Sequence, residues 1–324
     1  MMRRLTDPAG RVAQPASCQC HTVGGAIHLL SNYVDCPRAE GVSVQLRRFI
    51  AAILMGALAA ACSSNAPDSA PPAIVPGMVH IHGLGINPSN ETLYVATHYG
   101  LYTVESDQAP QRVGGLVQDF MGFTVTGPDE FLASGHPDPA DRQQPPHLGL
   151  INSSDAGQSW ESRSLHGSAD FHALEYRHGR VYGHDSQSGT VMVSLDQQSW
   201  QRRAEIPASD LAVSPADADE ILATTRQGLL RSTDGAITFG AVSSAPALVL
   251  VSWPERGPLL GVDLEGSLYT STDNGQTWQP RHTLNAKPQA LLAAGDGQVY
   301  IAIDTAIYTS TDNGATVNVP TAVE

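Results

Sequence analysis

Ser271-Thr272-Asp273-Asn274-Gly275-Gln276-Thr277-Trp278 returns as Ser310-Thr311-Asp312-Asn313-Gly314-Ala315-Thr316-Val317. Earlier copies are Ser153-Ser154-Asp155-Ala156-Gly157-Gln158-Ser159-Trp160 and Ser232-Thr233-Asp234-Gly235-Ala236-Ile237-Thr238-Phe239, with a shorter one at Ser194-Leu195-Asp196-Gln197-Gln198-Ser199-Trp200. Their first residues, 153, 194, 232, 271 and 310, lie 41, 38, 39 and 39 apart. A serine, an aspartate, a glycine and an aromatic at this spacing describe a hairpin tip. The carboxylate accepts turn N–H groups, the glycine takes positive φ, and the aromatic folds back on the sheet. Ala236 replaces the glycine in one copy and Val317 the aromatic in another, so those two turns are expected to be looser. Before each turn runs a short alternating stretch, as in Gly266-Ser-Leu268-Tyr-Thr270, Gly228-Leu-Leu-Arg-Ser232 and Gly149-Leu-Ile-Asn-Ser153, and Gly100-Leu-Tyr-Thr-Val104 marks a further unit. Two more strands precede each such stretch. Four short strands per repeat cannot bury both faces of one sheet, but a closed ring of such sheets can. The 247 residues from Met78 to Glu324, divided by a period near 40, predict an all-β, six-bladed β-propeller over residues 78–324.

The repeated octapeptide resembles the Asp-box, or BNR repeat, of sialidases, sortilin-like receptors and other propellers. The resemblance runs from about Val79 to the end, and it implies a structural rather than a catalytic role for the turn aspartates.

Ahead of the repeats, Arg47-Arg48 leads into Phe49-Ile-Ala-Ala-Ile-Leu-Met-Gly-Ala-Leu-Ala-Ala-Ala61, uncharged and 13 residues long, and then Cys62-Ser-Ser-Asn65. That run is too short for an ordinary transmembrane helix. Basic residues, a short apolar stretch and small residues read as an export signal over residues 42–61. With its cysteine, the segment resembles a bacterial lipoprotein signal, which implies acylation of Cys62. Such signals usually carry a larger aliphatic residue three places before the cysteine, where this chain has Ala59. The other reading is a secretory signal cut nearby, leaving a free thiol. Residues 62–77, rich in Ser, Ala, Asn and Pro, read as a flexible tether. Residues 1–41 hold Cys18, Cys20 and Cys36 without any apolar period, and read as a misassigned upstream extension. The expected location is therefore the cell envelope, outside the cytoplasm, on a lipid anchor. As a whole the chain resembles surface lipoproteins of the Asp-box propeller type, labelled glycosylhydrolase-like.

Beyond Cys62 the chain carries 12 basic and 29 acidic residues, a net of −17. A globule of that charge repels phosphate backbones, which argues against a nucleic-acid partner.

In an antiparallel blade with strands A to D from the axis outward, the B-to-C turns and D-to-A connections share one face, and the repeated turns occupy the other. Aligned inner strands read His80-Ile-His82, Asp119-Phe-Met121 and Asp170-Phe-His172 in the first three blades. Residues two apart share a side of a strand. The B-to-C turns supply His98, His136, His147 and His184, and Arg226 in the fourth blade. Seven of the ten histidines after Cys62 thus map to one face. Clustered imidazoles with carboxylates and a thioether suit a transition metal, and the thioether tilts the choice from zinc towards copper. The expected metal set is His80, His82, His172 and Met121, with Asp119 and Asp170 as ligands or orienting partners. His98, His136, His147, His184 and Arg226 are expected to line a ligand site around it. The competing reading has the histidines bracing the channel mouth and its loops by hydrogen bonds.

The Asp-box resemblance also raises a glycosyl hydrolase of exo-sialidase type. Such an enzyme implies three arginines for the sugar carboxylate, a Tyr–Glu pair and an acidic Asp. On this face stand only Arg226 and Arg142, and Tyr99 has no glutamate beside it in sequence. Hydrolysis by two carboxylates, drawn from Asp119, Asp170 and Asp210, stays open. So does a protein-interaction platform formed by Trp253 and the insertion 137–146.

Overall fold

A computed structural model describes residues 78–105 and 108–318. The upstream extension, the export signal, Cys62 and the tether lie outside the described residues.

Six antiparallel sheets follow one another along the chain, and they form a six-bladed β-propeller. Blade one is β1 (Ile81–Ile86), β2 (Leu93–Thr97), β3 (Gly100–Val104) and β4 (Gln111–Val113). Blade two is β5 (Asp119–Gly127), β6 (Glu130–His136), β7 (Leu150–Ser153) and β8 (Glu161–Ser164). Blade three is β9 (Phe171–Arg177), β10 (Arg180–Asp185), β11 (Thr190–Ser194) and β12 (Gln201–Glu205). Blade four is β13 (Ala208–Val213), β14 (Ile221–Thr225), β15 (Gly228–Ser232) and β16 (Gly240–Ala241). Blade five is β17 (Leu248–Ser252), β18 (Leu259–Asp263), β19 (Ser267–Ser271) and β20 (Gln279–Thr283). Blade six is β21 (Pro288–Gly295), β22 (Gln298–Ile303) and β23 (Ala306–Ser310), with a single bridge from Thr309 to Asn318 in place of an outer strand among the described residues.

Every core cluster straddles two neighbouring sheets. Tyr94, Leu101, Phe120 and Phe131 join blades one and two, and Leu132, Phe171 and Val181 join two and three. The same holds around the ring to Leu260, Val262 and Ile301 between blades five and six. Among the described residues the ring closes by packing: Ile81, Val95 and Tyr102 of blade one meet Ala290, Ala302 and Ile307 of blade six. The Ile81 N–H donates to Gln289 Oε1 at 2.7 Å across that joint. Strands buried on both faces explain the near-continuous apolar runs of the middle strands, such as Leu93–Thr97 and Ile221–Thr225.

The repeated turns are built alike. In the turn at 271–278, Ser271 Oγ donates to Asp273 Oδ1 (2.8 Å), and Thr277 N–H and Oγ1 donate to its two oxygens (2.8 and 2.6 Å). Gly275 N–H donates to Ser271 Oγ. The turns with Ala236 and Val317 keep the same bonds, so the expected looseness does not arise. Ala236 holds φ at +67° and is fully buried, its conformation fixed by the surrounding bonds. These bonds hold Asp196, Asp234, Asp273 and Asp312 down to about 2. Backbone bonds from Ala156 to Asp129 and from Gly235 to Asp219 tie these turns to the A-to-B turns, fixing them on one face.

One irregularity recurs in all six blades. The innermost strand slips by one residue against its partner, leaving His82, Met121, His172, Ser209, Val249 and Gln289 as the extra residue of a bulge. Such bulges re-aim side chains at the rim of a sheet, and here they form a ring around one mouth of the channel.

Candidate metal centre

The channel is a cavity of about 530 Å³ lined by the innermost strands of all six blades. His82 and His172 stand among its lining residues, as do Arg177 and Glu255, which are joined by a salt bridge of 2.6 Å.

On the face opposite the repeated turns, two groups converge, each across a joint between blades. In the first, His82 and His98 of blade one meet Asp119 of blade two. His98 Nδ1 lies 2.8 Å from Asp119 Oδ2, and His82 Nε2 lies 3.6 Å from Oδ1. In the second, His136 and His147 of blade two meet Asp170 of blade three, at 3.9 and 3.7 Å from its Oδ2. Within each group the three ligand atoms lie within 4.8 Å of one another. Two metal–ligand bonds of about 2.0–2.1 Å at a tetrahedral angle separate their ligand atoms by about 3.4 Å. The nitrogen-to-oxygen separations of 3.6, 3.7 and 3.9 Å are close to that, and the 2.8 Å contact of His98 with Asp119 is shorter.

Several of these atoms lack a hydrogen-bond partner although they are buried: His82 Nε2, Asp119 Oδ1, His147 Nδ1 and Asp170 Oδ1. Unpaired buried polar atoms are costly. The His136 ring is oriented by the backbone. Its Nδ1–H donates to the Pro146 carbonyl at 2.8 Å, leaving the Nε2 lone pair to face the Asp170 carboxylate. Fixing the tautomer by a backbone carbonyl is how proteins commonly orient metal-binding imidazoles. Two acceptors that face each other are satisfied by a proton or by a metal ion between them.

The electrostatics agree. Burial, then the charges of His98, His172, His80 and His136, push His82 down to about 4, so its ring is neutral and able to ligate at neutral pH. Burial pushes Asp119 up, opposed by His98, His136 and His172. Burial also raises Asp170, but hydrogen bonds from His172 Nε2 (3.0 Å) and Ser186 Oγ (2.8 Å) outweigh it and bring the carboxyl to about 2.

The expected set of His80, His82, His172 and Met121 is not the one that converges. Alternation along a strand was expected to pair His80 with His82. His80 instead precedes β1 at φ +54°, and the bulge at His82 breaks the alternation. His80 is exposed, its ring centroid 5.9 Å from that of His98. His172 reaches Asp170 without entering either trio, and Met121 is the half-buried bulge residue of blade two. His98, His136 and His147, expected to line the surroundings, are members of the trios. His184 is buried, with Nε2–H donating to the Ile206 carbonyl (2.9 Å), which is a bracing role. Arg226 stands exposed in the β14–β15 turn of blade four, outside both groups.

Asp210 lies in the channel wall, accepting N–H bonds from Leu211 and Val251, both at 2.9 Å. Each of the three candidate hydrolytic carboxylates thus has a holding role, Asp119 and Asp170 against imidazoles and Asp210 against backbone. Trp253 is buried between blades four and five, so it offers no docking surface. The insertion instead walls a recess of about 540 Å³ with Leu116, Gln118 and Trp160. Sequence reading missed Glu175 and Ser186. Nothing in their spacing signals them, whereas the repeat of Asp119 as Asp170 and of His98 as His136 was available from the blade period.

No protein-family model matches this sequence, and no curated protein matches it. Similar solved structures include catalytically inactive virginiamycin B lyase from Staphylococcus aureus with quinupristin, at 13% identity and a TM-score of 0.52 over 77% of this chain and 86% of that one. YCF48 from Cyanidioschyzon merolae is 12% identical, with a TM-score of 0.50 over 73% and 97%. An ancestral GH74 enzyme is 13% identical, with a TM-score of 0.48 over 74% of this chain and only 37% of its own length. At these identities the likeness is one of fold.

Proposed function

We propose that this chain is an exported, lipid-tethered propeller of the cell envelope that binds copper or zinc on the face opposite its Asp-boxes. The observation that carries the reading is the pair of trios, His82–His98–Asp119 and His136–His147–Asp170, in which His82 Nε2 faces Asp119 Oδ1 with neither bonded elsewhere, and His147 Nδ1 and Asp170 Oδ1 are buried without a partner. Donors of two imidazoles and a carboxylate suit Zn(II) and Cu(II). The five repeated turns, with their shared bonds to Asp155, Asp196, Asp234, Asp273 and Asp312, support the Asp-box reading.

Protein purified without a histidine tag and stripped by chelator is expected to take up about two equivalents of Cu(II) or Zn(II). Asp119→Ala and Asp170→Ala should each remove one of them, lowering its affinity roughly 100-fold or more, since even the outer partners of metal ligands are worth about 10–100-fold. Calorimetric titration of variants that retain the wild-type unfolding transition reads this. Sub-stoichiometric uptake, or uptake undiminished in both variants, would sink the proposal.

The anchor rests on the basic, apolar and small-residue succession that ends at Cys62. In cells fed an alkyne fatty acid, the protein should carry label and sediment with membranes. Cys62→Ala should lose the label and move to the soluble fraction, and a labelled Cys62→Ala protein would refute acylation at this residue.

A further inference from the structure

We infer that the two trios are copies of one arrangement made inequivalent by a single exchange, and that the second is a copper(I) site completed by the Met121 thioether. The inference rests on the metal-binding reading above and goes further, to the metal each site selects.

The register carries it. In blade one, Thr97 pairs with Ile81, the next residue on β1 is the bulged His82, and the residue after Thr97 is His98. In blade two, Gly135 pairs with Phe120, the next residue on β5 is the bulged Met121, and the residue after Gly135 is His136. Asp119 lies two residues before the bulge of its blade, and Asp170 two residues before the His172 bulge of the next. A step of one blade therefore carries His82, His98 and Asp119 onto Met121, His136 and Asp170. A second step gives His172, Ser186 and Pro207, whose hydroxyl and pyrrolidine end the series.

Two of the three positions keep their residue type, and the third exchanges imidazole for thioether. The second trio also gains His147, which follows the 137–146 insertion and makes up the lost nitrogen. The donors are thus two imidazoles and a carboxylate in the first group, and two imidazoles, a carboxylate and the thioether in the second. A thioether is a soft, polarizable ligand that favours Cu(I) and adds little to Zn(II). Orphaned atoms occur in both groups, His82 Nε2 and Asp119 Oδ1 in one, His147 Nδ1 and Asp170 Oδ1 in the other, so neither copy is closed by its own hydrogen bonds.

The test uses the full chain with its cysteine thiols alkylated, so that sulfur other than thioether cannot hold copper. Cu(I) is presented in competition with bicinchoninate under a reductant, and Zn(II) in competition with a chromogenic chelator. Met121→Leu is expected to weaken Cu(I) binding about 10–100-fold and to leave Zn(II) affinity within about twofold. Met121→His, which restores the blade-one pattern, should tighten the Zn(II) equivalent held by the second trio while weakening Cu(I). Cu(I) affinity unchanged in both variants overturns the inference and leaves the metal-binding reading standing. If the wild-type chain takes up neither ion, the two fall together.

Discussion

Phe131→Ala is expected to lower the stability of the ring by about 3–5 kcal/mol, the range for emptying a fully buried aromatic site. Phe131 is 1% exposed and lies in the joint between blades one and two. Its ring meets Tyr94 edge-on at 4.8 Å and Phe123 at 5.5 Å, so truncation forfeits two aromatic contacts as well as apolar area. Collapse cannot fill the space, because Tyr94 on β2 and Phe123 on β5 are fixed by ladders on both sides of the joint. The same joint positions His82 and His98 against Asp119, whereas the second trio spans the next joint. The variant should therefore weaken one metal equivalent more than the other. Urea unfolding followed by tryptophan fluorescence reads the first effect and titration the second. A loss below about 1 kcal/mol would mean that the joint repacks and that blades are not coupled through this cluster.

The architecture was legible because it repeats. The spacing of Ser153, Ser194, Ser232, Ser271 and Ser310 gave the blade period, and the period gave the ring size and the face on which the histidines gather. What spacing could not reveal was the bulge. The rule that residues two apart share a side holds only along an unbroken strand, and each inner strand is broken at the very position the alignment singled out. His80 was therefore grouped with His82, while His98, one turn away in space and sixteen residues on in sequence, completes the first trio. Asp119 and Asp170 could be picked out together for a simpler reason: they occupy equivalent stations in successive blades. Trp253, named as part of an interaction platform, instead fills the joint between blades four and five. The channel wall shows in the sequence as one misfit. Asp210 falls one residue after the Ser209 bulge, where the other blades carry Gly83, Gly122, Ala173, Leu250 and Ala290.

That misfit in the channel leads to the expected pH dependence of the metal-free chain, and Asp210→Asn should flatten it. Burial pushes Asp210 up to about 7 against the N–H bonds of Val251 and Leu211, and the Glu175 charge raises it further. Burial likewise pushes Glu175 up to about 7, with Arg177 opposing at 3.3 Å. Both acids hold in the folded state protons that the unfolded chain releases near pH 4, so their stabilisation is full below that and is lost as pH rises to 7. His82 acts in the other direction. Its pKa is pushed down to about 4, so its contribution is present above pH 6.5 and lost as pH falls towards 4. Asp119, also raised by burial, sides with the two acids, and His184, also lowered by burial, sides with His82. Three acids against two imidazoles leave a net loss of stability between pH 4.5 and 7.5, on the order of 2–3 kcal/mol at about 1.4 kcal/mol per unit once screening at half-buried groups is allowed for. Below pH 4 the trend reverses, because the unfolded chain takes up protons at aspartates that the fold, holding Asp170 and the turn aspartates near 2, keeps ionised. Urea unfolding in chelator at pH 4.5, 6.0 and 7.5 should show the Asp210→Asn slope reduced by about half or more. The slope is the diagnostic, and not the stability at one pH, because asparagine retains one acceptor oxygen for two backbone donors and loses stability at every pH through the other. An unchanged slope would place the titrating groups outside the channel wall.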